Sequence, residues 1–487
     1  MKRQLHLNLI LLSCFCITTV FAQTDVDALR YSGTAITGTA RFSAMSGAFG
    51  ALGGDFSSIS INPAGLGIYR TSEFTITPSI YVGATNSDFL NNSTSDNKYN
   101  FNLGNLGLVY TSKLNADNFT SGWKSWSFGF GYNRINNFHN RTYYEGKNRN
   151  NSLLDAFVQN ANGLNYDQLD SYYEYLAYSA YLINPDASNQ YTSVIPFAQE
   201  IQRRSSVTSG AIGETVFSFA GNYNNKLFLG GSLNFRSLRY TEETTYEELD
   251  PDTTIPNFKR FQFDQNLTTR GNGFNLKLGI IYKATDNVRL GFAMQTPTWY
   301  SLRDEYNNSM TANLDTGAIK SADSPVGAFD YNLTTPFRAT ASVGFIIGEM
   351  GLVSADYDFS DYSTSRFDAG RYRFTAANDA IRKKYTTVHT VRIGTEWRYE
   401  NLSFRAGASL GTSPIQSAYK VTANDFSRKS FSGGIGVRDG GFFLDLGFVY
   451  TTSNEFFQPF TLTSSTVEGV RTKVNTNNFV MTLGWKF

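Results

Sequence analysis

From Glu73 to the end of the chain, apolar and polar residues alternate in short runs. Phe74, Ile76, Pro78, Ile80 and Val82 share one face of the first run, and Thr75, Thr77, Ser79 and Tyr81 share the other. The same period of two returns at Trp126/Phe128/Phe130/Tyr132, Phe274/Leu276/Leu278/Ile280/Tyr282 and Phe442/Leu444/Leu446/Phe448/Tyr450, and last at Phe479/Met481/Leu483/Trp485/Phe487. Side chains two apart lie on one face of a strand, so each run predicts a strand with one apolar face. About fourteen such runs can be counted, the even number that a single-chain membrane barrel requires. Asn224-Asn225, Ala284-Thr285-Asp286, Gly348-Glu349, Glu400-Asn401 and Asp439-Gly440 read as tight turns, each followed one strand later by a long polar connection. Soluble β-sandwiches alternate as well. Turn order, together with terminal aromatics at Trp485 and Phe487, selects an all-β, membrane-spanning antiparallel barrel.

Two stretches interrupt this pattern. The longest connection, 136–213, carries Leu153, Leu154 and Phe157, then Leu169, Tyr172, Tyr173, Leu176, Ala180 and Tyr181 at helical spacing, which predicts two amphipathic helices in an outer loop. Ahead of the first strand, Gly38 to Tyr69 interleaves small residues with single large apolar ones and ends in Asn62-Pro63-Ala64-Gly65. Gly47, Gly50, Gly53 and Gly54 favour neither helix nor strand, so this segment keeps a shape only inside an enclosure. It reads as a hatch filling the lumen. Glycines on the inward strand faces, among them Gly107, Gly230, Gly279, Gly394 and Gly407, are read as space cleared for it, with wall curvature as the alternative.

Particular residues carry a resemblance. The run Ala40-Arg41-Phe42-Ser43-Ala44-Met45-Ser46-Gly47-Ala48-Phe49, then Asp55 and Ile61-Asn62-Pro63-Ala64-Gly65-Leu66, is similar to the N-terminal hatch of the FadL/TodX family of outer-membrane transporters for hydrophobic compounds. Asp356 to Ser363, Val391 to Glu396 and Leu402 to Gly407 also resemble that family. The resemblance implies a fourteen-stranded barrel in the outer membrane of a Gram-negative bacterium, with hatch residues Gly47, Gly50, Gly53, Gly54, Asn62, Pro63 and Gly65. It implies passive passage of hydrophobic small molecules such as long-chain fatty acids, contact with outer-membrane lipid, and recognition of Phe487 by the barrel-assembly machinery. An alternative, also offered by the resemblance, is a barrel that serves protein secretion or acts as a surface scaffold. Inward arginines mostly pair with inward carboxylates. The sharper expectation is that Arg338, Arg392 or Arg405 meets a ligand carboxylate whose tail lies on Phe42, Met45, Phe49, Leu52 and Phe56.

Lys2 and Arg3, the apolar run Leu5 to Val20, and Ala22 before Gln23 predict a secretory leader over 1–22, leaving 23–72 as hatch segment and 73–487 as barrel. Both cysteines, Cys14 and Cys16, lie in the leader, which rules out thiolate chemistry in the mature chain. The chain has 42 basic and 41 acidic residues, so no nucleic-acid partner is suggested. A mean hydropathy of −0.30 with 15% aromatic residues suits a barrel whose lumen is polar and whose apolar band uses alternate positions. After the leader only His139 and His389 remain, and neither sits in a metal or Ser-His-Asp motif. No enzyme, metal or cofactor is expected.

Overall fold

The computed structural model describes residues 23–487 apart from 115–121, 197–199, 316, 318, 371 and 421–425. The expected leader, with Cys14 and Cys16, lies outside the described residues.

A single antiparallel sheet closes on itself as a fourteen-stranded barrel. In order its strands are β1 Glu73–Phe89, β2 Asn92–Lys113, β3 Trp123–Asn137 with its continuation Asn140–Lys147, β4 Ile201–Tyr223, β5 Leu227–Leu249 and β6 Arg260–Lys283. β7 is Val288–Gln295 continued by Trp299–Asn313, and β8 is Gly327–Thr334 continued by Arg338–Ile347. The circuit is completed by β9 Gly351–Asp361, β10 Thr387–Tyr399, β11 Leu402–Gly411, β12 Arg428–Asp439, β13 Phe442–Phe457 and β14 Val470–Lys486. β14 pairs with β1 from Glu73↔Lys486 upward. Just below this seam, Ser72 and Phe487 exchange backbone hydrogen bonds of 3.0 Å.

The barrel is inside out relative to a soluble protein. Leu106, Leu108, Phe128, Phe130, Phe217, Leu278, Ile280, Phe292 and Phe404 are exposed on its outer face, whereas Thr75, Asn105, Asn133, Asn234 and Asn275 are buried on the inner one. Such an apolar belt is what a bilayer requires of a closed sheet, and the predicted alternation is therefore polar side inward. No described helix is long and apolar enough to cross a membrane. At the lower rim Trp123 stacks on Trp126, and Trp126 on Phe219. Asn224, Asn225, Glu400 and Gly440 take positive φ in the short turns of the same end, as two-residue hairpins demand.

Strands run well beyond the apolar belt. β1 and β2 meet in a tight turn at Leu90-Asn91. Likewise the connection expected over 136–213 is shorter, because β3 continues to Lys147 and β4 begins at Ile201. The reason is physical: above the belt the outer face of a hairpin meets water, so paired strands need no outward apolar residues there. The remaining connection holds the two expected helices, α3 Leu153–Ala161 and α4 Glu174–Ser179. Leu154, Phe157, Leu176 and Ile183 bury against Tyr246, Phe261, Phe263 and Met310 on the upper ends of β5, β6 and β7. Two N-terminal helices precede β1: α1 Asp25–Ser32 and the short α2 Ala40–Ala44.

Candidate functional site

The lumen is filled at two levels. In the lower half, the hatch is seated on a stripe of strand glycines. A Cβ built on Gly230 would lie 2.5 Å from the Pro63 carbonyl oxygen, one on Gly407 would lie 2.5 Å from the Met45 carbonyl carbon, and one on Gly394 would lie 2.7 Å from the Met45 oxygen. Gly107 and Gly131 face Phe56, Gly129 faces Ile59 and Leu66, Gly291 faces the Gly50 carbonyl, Gly434 faces Ala44 and Gly447 faces Ala40. Hatch backbone thus approaches the wall where no side chain intervenes. The expected clearing of space is what these glycines do.

Polar contacts fix the register of the hatch. Asn62 donates to the carbonyls of Gly50 (2.7 Å) and Ile280 (3.1 Å) and accepts from Ala64 N, while Pro63 opens the short 3₁₀ turn that follows. Gly53 and Gly54 adopt φ of +61° and +65°, and Gly54 N donates to the Gly65 carbonyl, so the two ends of the hatch loop touch. Thr39 donates to both oxygens of Asp55, which also caps Ser57 N. Burial raises the Asp55 carboxyl, and the Arg41 charge and these hydrogen bonds partly offset that rise. Arg41 forms a forked pair with Glu396 on β10, at 2.6 and 3.2 Å, and Gly50 N donates to Asp356 at 3.0 Å.

Each of the three nominated arginines is already engaged. Arg392 pairs with Asp358 at 2.8 Å, Arg405 with Glu396 at 2.7 Å and Asp445 at 2.6 Å, and Arg338 donates to Thr34 at 2.7 Å with Asp358 at 3.9 Å. Arg392 and Arg405 thus have an internal carboxylate at hydrogen-bond distance, whereas the bonded partner of Arg338 is a hydroxyl. The five apolar positions do not form one surface either. Phe42, Met45, Phe49 and Leu52 pack with Leu352, whereas Phe56 packs separately with Ile59, Leu66, Tyr69 and Val216, and all five are buried. Alternation of small and large residues marked them as apolar. Which of them share a neighbour depends on the fold of the hatch, which has no periodicity to read.

The upper level was not anticipated. α1 stands inside the upper lumen, held by Gln23 to Asp304 (2.8 Å), by Tyr31 to Thr269 (3.0 Å) and by Asp25 to Lys384 and Tyr385. Its Ala28 and Tyr31 fill the upper lumen, packed in one buried apolar cluster with Ile135, Phe138, Tyr240, Tyr300, Leu302, Tyr331 and Leu333; this filled space is the upper chamber. The available signal was Thr24 followed by Asp27, an N-cap box, but eight residues with little apolar periodicity gave no face to orient.

Beside this chamber the wall parts. β2 and β3 are paired only from Lys113↔Ser125 to Asn105↔Asn133. Above that level β2 pairs with β1 alone, up to Phe89↔Asn92, while β3 bulges at Arg134/Asn136 and its continuation pairs with β4. That continuation bends to the lumen side of the first hairpin, where the Arg141 and Tyr143 carbonyls accept from Thr85 and Thr94. One edge of β2 is left open, and Phe101 on it is 75% exposed. Arg134 bridges the break by donating to the Leu103 carbonyl at 3.4 Å. Ile135 and Phe138, which line the chamber, lie in the segment that bends away, so the chamber and the break adjoin.

His139 meets Asn137 and Asn100, and His389 meets Tyr357; neither ring faces a carboxylate. Among the described residues no group of three or more His, Cys, Asp or Glu could hold a metal ion.

No family model and no curated protein sequence matches the chain. Solved structures do. The toluene transporter TodX of Pseudomonas putida matches 94% of this chain and 100% of its own, with a TM-score of 0.52 at 15% identity. A Pseudomonas aeruginosa FadL homologue matches over 93% and 99% with a TM-score of 0.56 at 11% identity. The Ralstonia pickettii toluene transporter TbuX matches over 93% and 99% with a TM-score of 0.50 at 15% identity. At these identities the likeness establishes a shared fold over nearly the whole chain.

Proposed function

We propose that this protein is an outer-membrane channel through which hydrophobic small molecules, long-chain fatty acids among them, pass by diffusion. The observation that carries the reading is the apolar chamber of the upper lumen adjoining an unpaired strand edge. An open edge is costly in hydrocarbon. One placed next to an apolar chamber offers a path along which a hydrophobic molecule never meets bulk water. Transporters of toluene and a FadL homologue share the fold, which supports the same use of the lumen. The short turns at Asn224-Asn225, Glu400-Asn401 and Asp439-Gly440 and the two chain ends of the barrel then face the periplasm, and the α3–α4 lobe faces outward. On this reading α1 is the element that gives way, a single eight-residue helix that holds its place through Ala28, Leu29 and Tyr31 and a few hydrogen bonds at its ends.

The test uses cells lacking the gene, restored with either the intact protein or a variant carrying Leu103→Cys and Arg134→Cys. The mature chain has no other cysteine if the leader is removed, so a short bis-maleimide can join the two sides of the break. Labelled oleate and labelled toluene uptake should return with the intact protein and with the uncrosslinked variant, and should fall to the deletion level after crosslinking. A second reading draws on the locked lower lumen: buried, self-paired charges at Arg41–Glu396–Arg405 and Arg236–Glu214–Lys277 suit a plugged scaffold for protein secretion. Uptake unchanged by deletion, for both compounds, would abandon the channel and favour that scaffold.

A further inference from the structure

Under the hatch, at the short-turn end of the barrel, a solvent-open cavity of about 250 Å³ lies between the hatch floor and the wall. Leu52 and Ile68 of the hatch and Ile346 and Leu352 of β8 and β9 give it apolar sides. Its charges are unbalanced. Arg41, Arg289, Arg398, Arg438 and Lys486 line it, against Glu396 and Glu349 as the acidic lining residues.

Glu396 is the buried one of the two. Glu396 already receives Arg41, Arg398 and Arg405. Lys486 looks to Glu73 at 3.6 Å. Arg289 and Arg438 are left over. Arg289 donates through one terminal nitrogen to the Leu52 carbonyl at 3.1 Å, but its Nε is buried without a hydrogen-bond partner. Arg438 has its guanidinium 5.9 Å from the Phe443 ring and its Nε likewise buried and unpartnered. A guanidinium has five N–H donors in a planar fork matched to an oxyanion, and leaving such donors dry and unpaired is unfavourable. Elsewhere in the lumen Arg236 and Lys277 share Glu214, and Arg392 has Asp358. Around this cavity five cations line the wall with two carboxylates.

We propose that this cavity is a binding site for the anionic head, carboxylate or phosphate, of an amphipathic molecule. Arg289 and Arg438 hold the oxyanion, and the apolar stem lies along Leu52, Ile68 and Ile346. The inference goes beyond the channel reading, whose path leaves the barrel sideways above the hatch: this cavity opens at the short-turn end and takes an amphipathic molecule from that side. A neutral aromatic compound would make no use of the site. A phospholipid of the inner leaflet would present the same chemistry from below.

Equilibrium binding to the purified full chain in neutral detergent separates these cases without any uptake step, so failure of transport and failure of this site are independent results. The probes are decanoate, methyl decanoate, inorganic phosphate and a short-chain phosphatidylglycerol. Wild-type protein should bind decanoate more tightly than the methyl ester, and the Arg289→Gln/Arg438→Gln variant should lose about tenfold or more for decanoate, the loss expected for hydrogen bonds to a charged group. Methyl decanoate binding should not change, which also reports that the variant is folded. Phosphatidylglycerol competing better than decanoate assigns the site to lipid from below; phosphate competing as well as decanoate removes the apolar half of the proposal. Wild-type protein binding decanoate no better than its ester, or a variant that binds decanoate as the wild type does, overturns it.

Discussion

Glu396→Ala should unlock the hatch and cost about 3–5 kcal/mol, the range for removing one partner of a buried ion pair. Glu396 is fully buried and Arg41 nearly so, with 9% of its side chain exposed, and the carboxylate receives Arg41 from the hatch and Arg405 from β11. Its removal leaves Arg41 with the Gly54 carbonyl as its remaining acceptor, whereas Arg405 keeps Asp445. The damage therefore falls on the hatch side. In planar bilayers the wild type should pass little ionic current and Glu396→Ala should show openings. In detergent the segment around Arg41 should become open to trypsin while the barrel stays folded. Arg41→Met combined with Glu396→Ala should be milder than the sum of the two, since the second change removes the charge that the first one strands. Equal protease protection and current in wild type and Glu396→Ala would show that the pair does not latch the hatch.

Gly407→Val should be nearly as damaging, for a steric reason. Its inward Cβ would overlap the backbone of Met45 and Ser46, at 2.5 and 2.7 Å, and neither is a flexible tip that can move aside. Overpacking of this kind costs about 1–3 kcal/mol and more where backbone must shift. The control is on the neighbouring strand. Gly433 pairs with Ala406 and so faces outward, and a Cβ there meets only the Arg405 carbonyl at 3.7 Å. Gly433→Val should be neutral or stabilising, because a β-branched residue suits an outer strand face. The measurement is the temperature at which each variant loses the fast-migrating folded form on unboiled gels, with Gly407→Val lower and Gly433→Val unchanged. Equal midpoints for the two variants would mean that the hatch is not seated on this glycine.

The barrel was legible in the sequence because its outer face obeys one rule at every second residue, from Phe74 to Trp485. Turns such as Asn224-Asn225 and Asp439-Gly440 were legible because their backbone demands particular residues. Strand ends were not, since Asn92 to Lys98 are paired without apolar alternation, and only from Tyr99, Phe101 and Leu103 do apolar side chains again face outward. The hatch was recognisable by its glycines and its Asn62-Pro63-Ala64-Gly65 end. Its mates were half legible: Gly394 and Gly407 announced a close approach, but nothing local said that Met45 was the residue approaching. Charge pairing was the least accessible. Arg392, Arg405, Arg289 and Arg438 look alike along the chain, and only the closed register sets two of them against carboxylates and leaves the other two facing a cavity.

One consequence follows from the seam at which Ser72 and Phe487 exchange hydrogen bonds. β1 leaves the hatch directly, and β14 is made last, so the ring closes where the chain's first strand meets its final one. Inside that ring hatch backbone lies directly against strand backbone at Gly230 and Gly407. A segment with α1 above it and so little clearance around it cannot be threaded through a finished cylinder. It has to be lying in place when Glu73 meets Lys486. The hatch is therefore less a stopper fitted to a pipe than the mandrel on which the pipe is wound, and a chain lacking it would be missing a tool of its own construction.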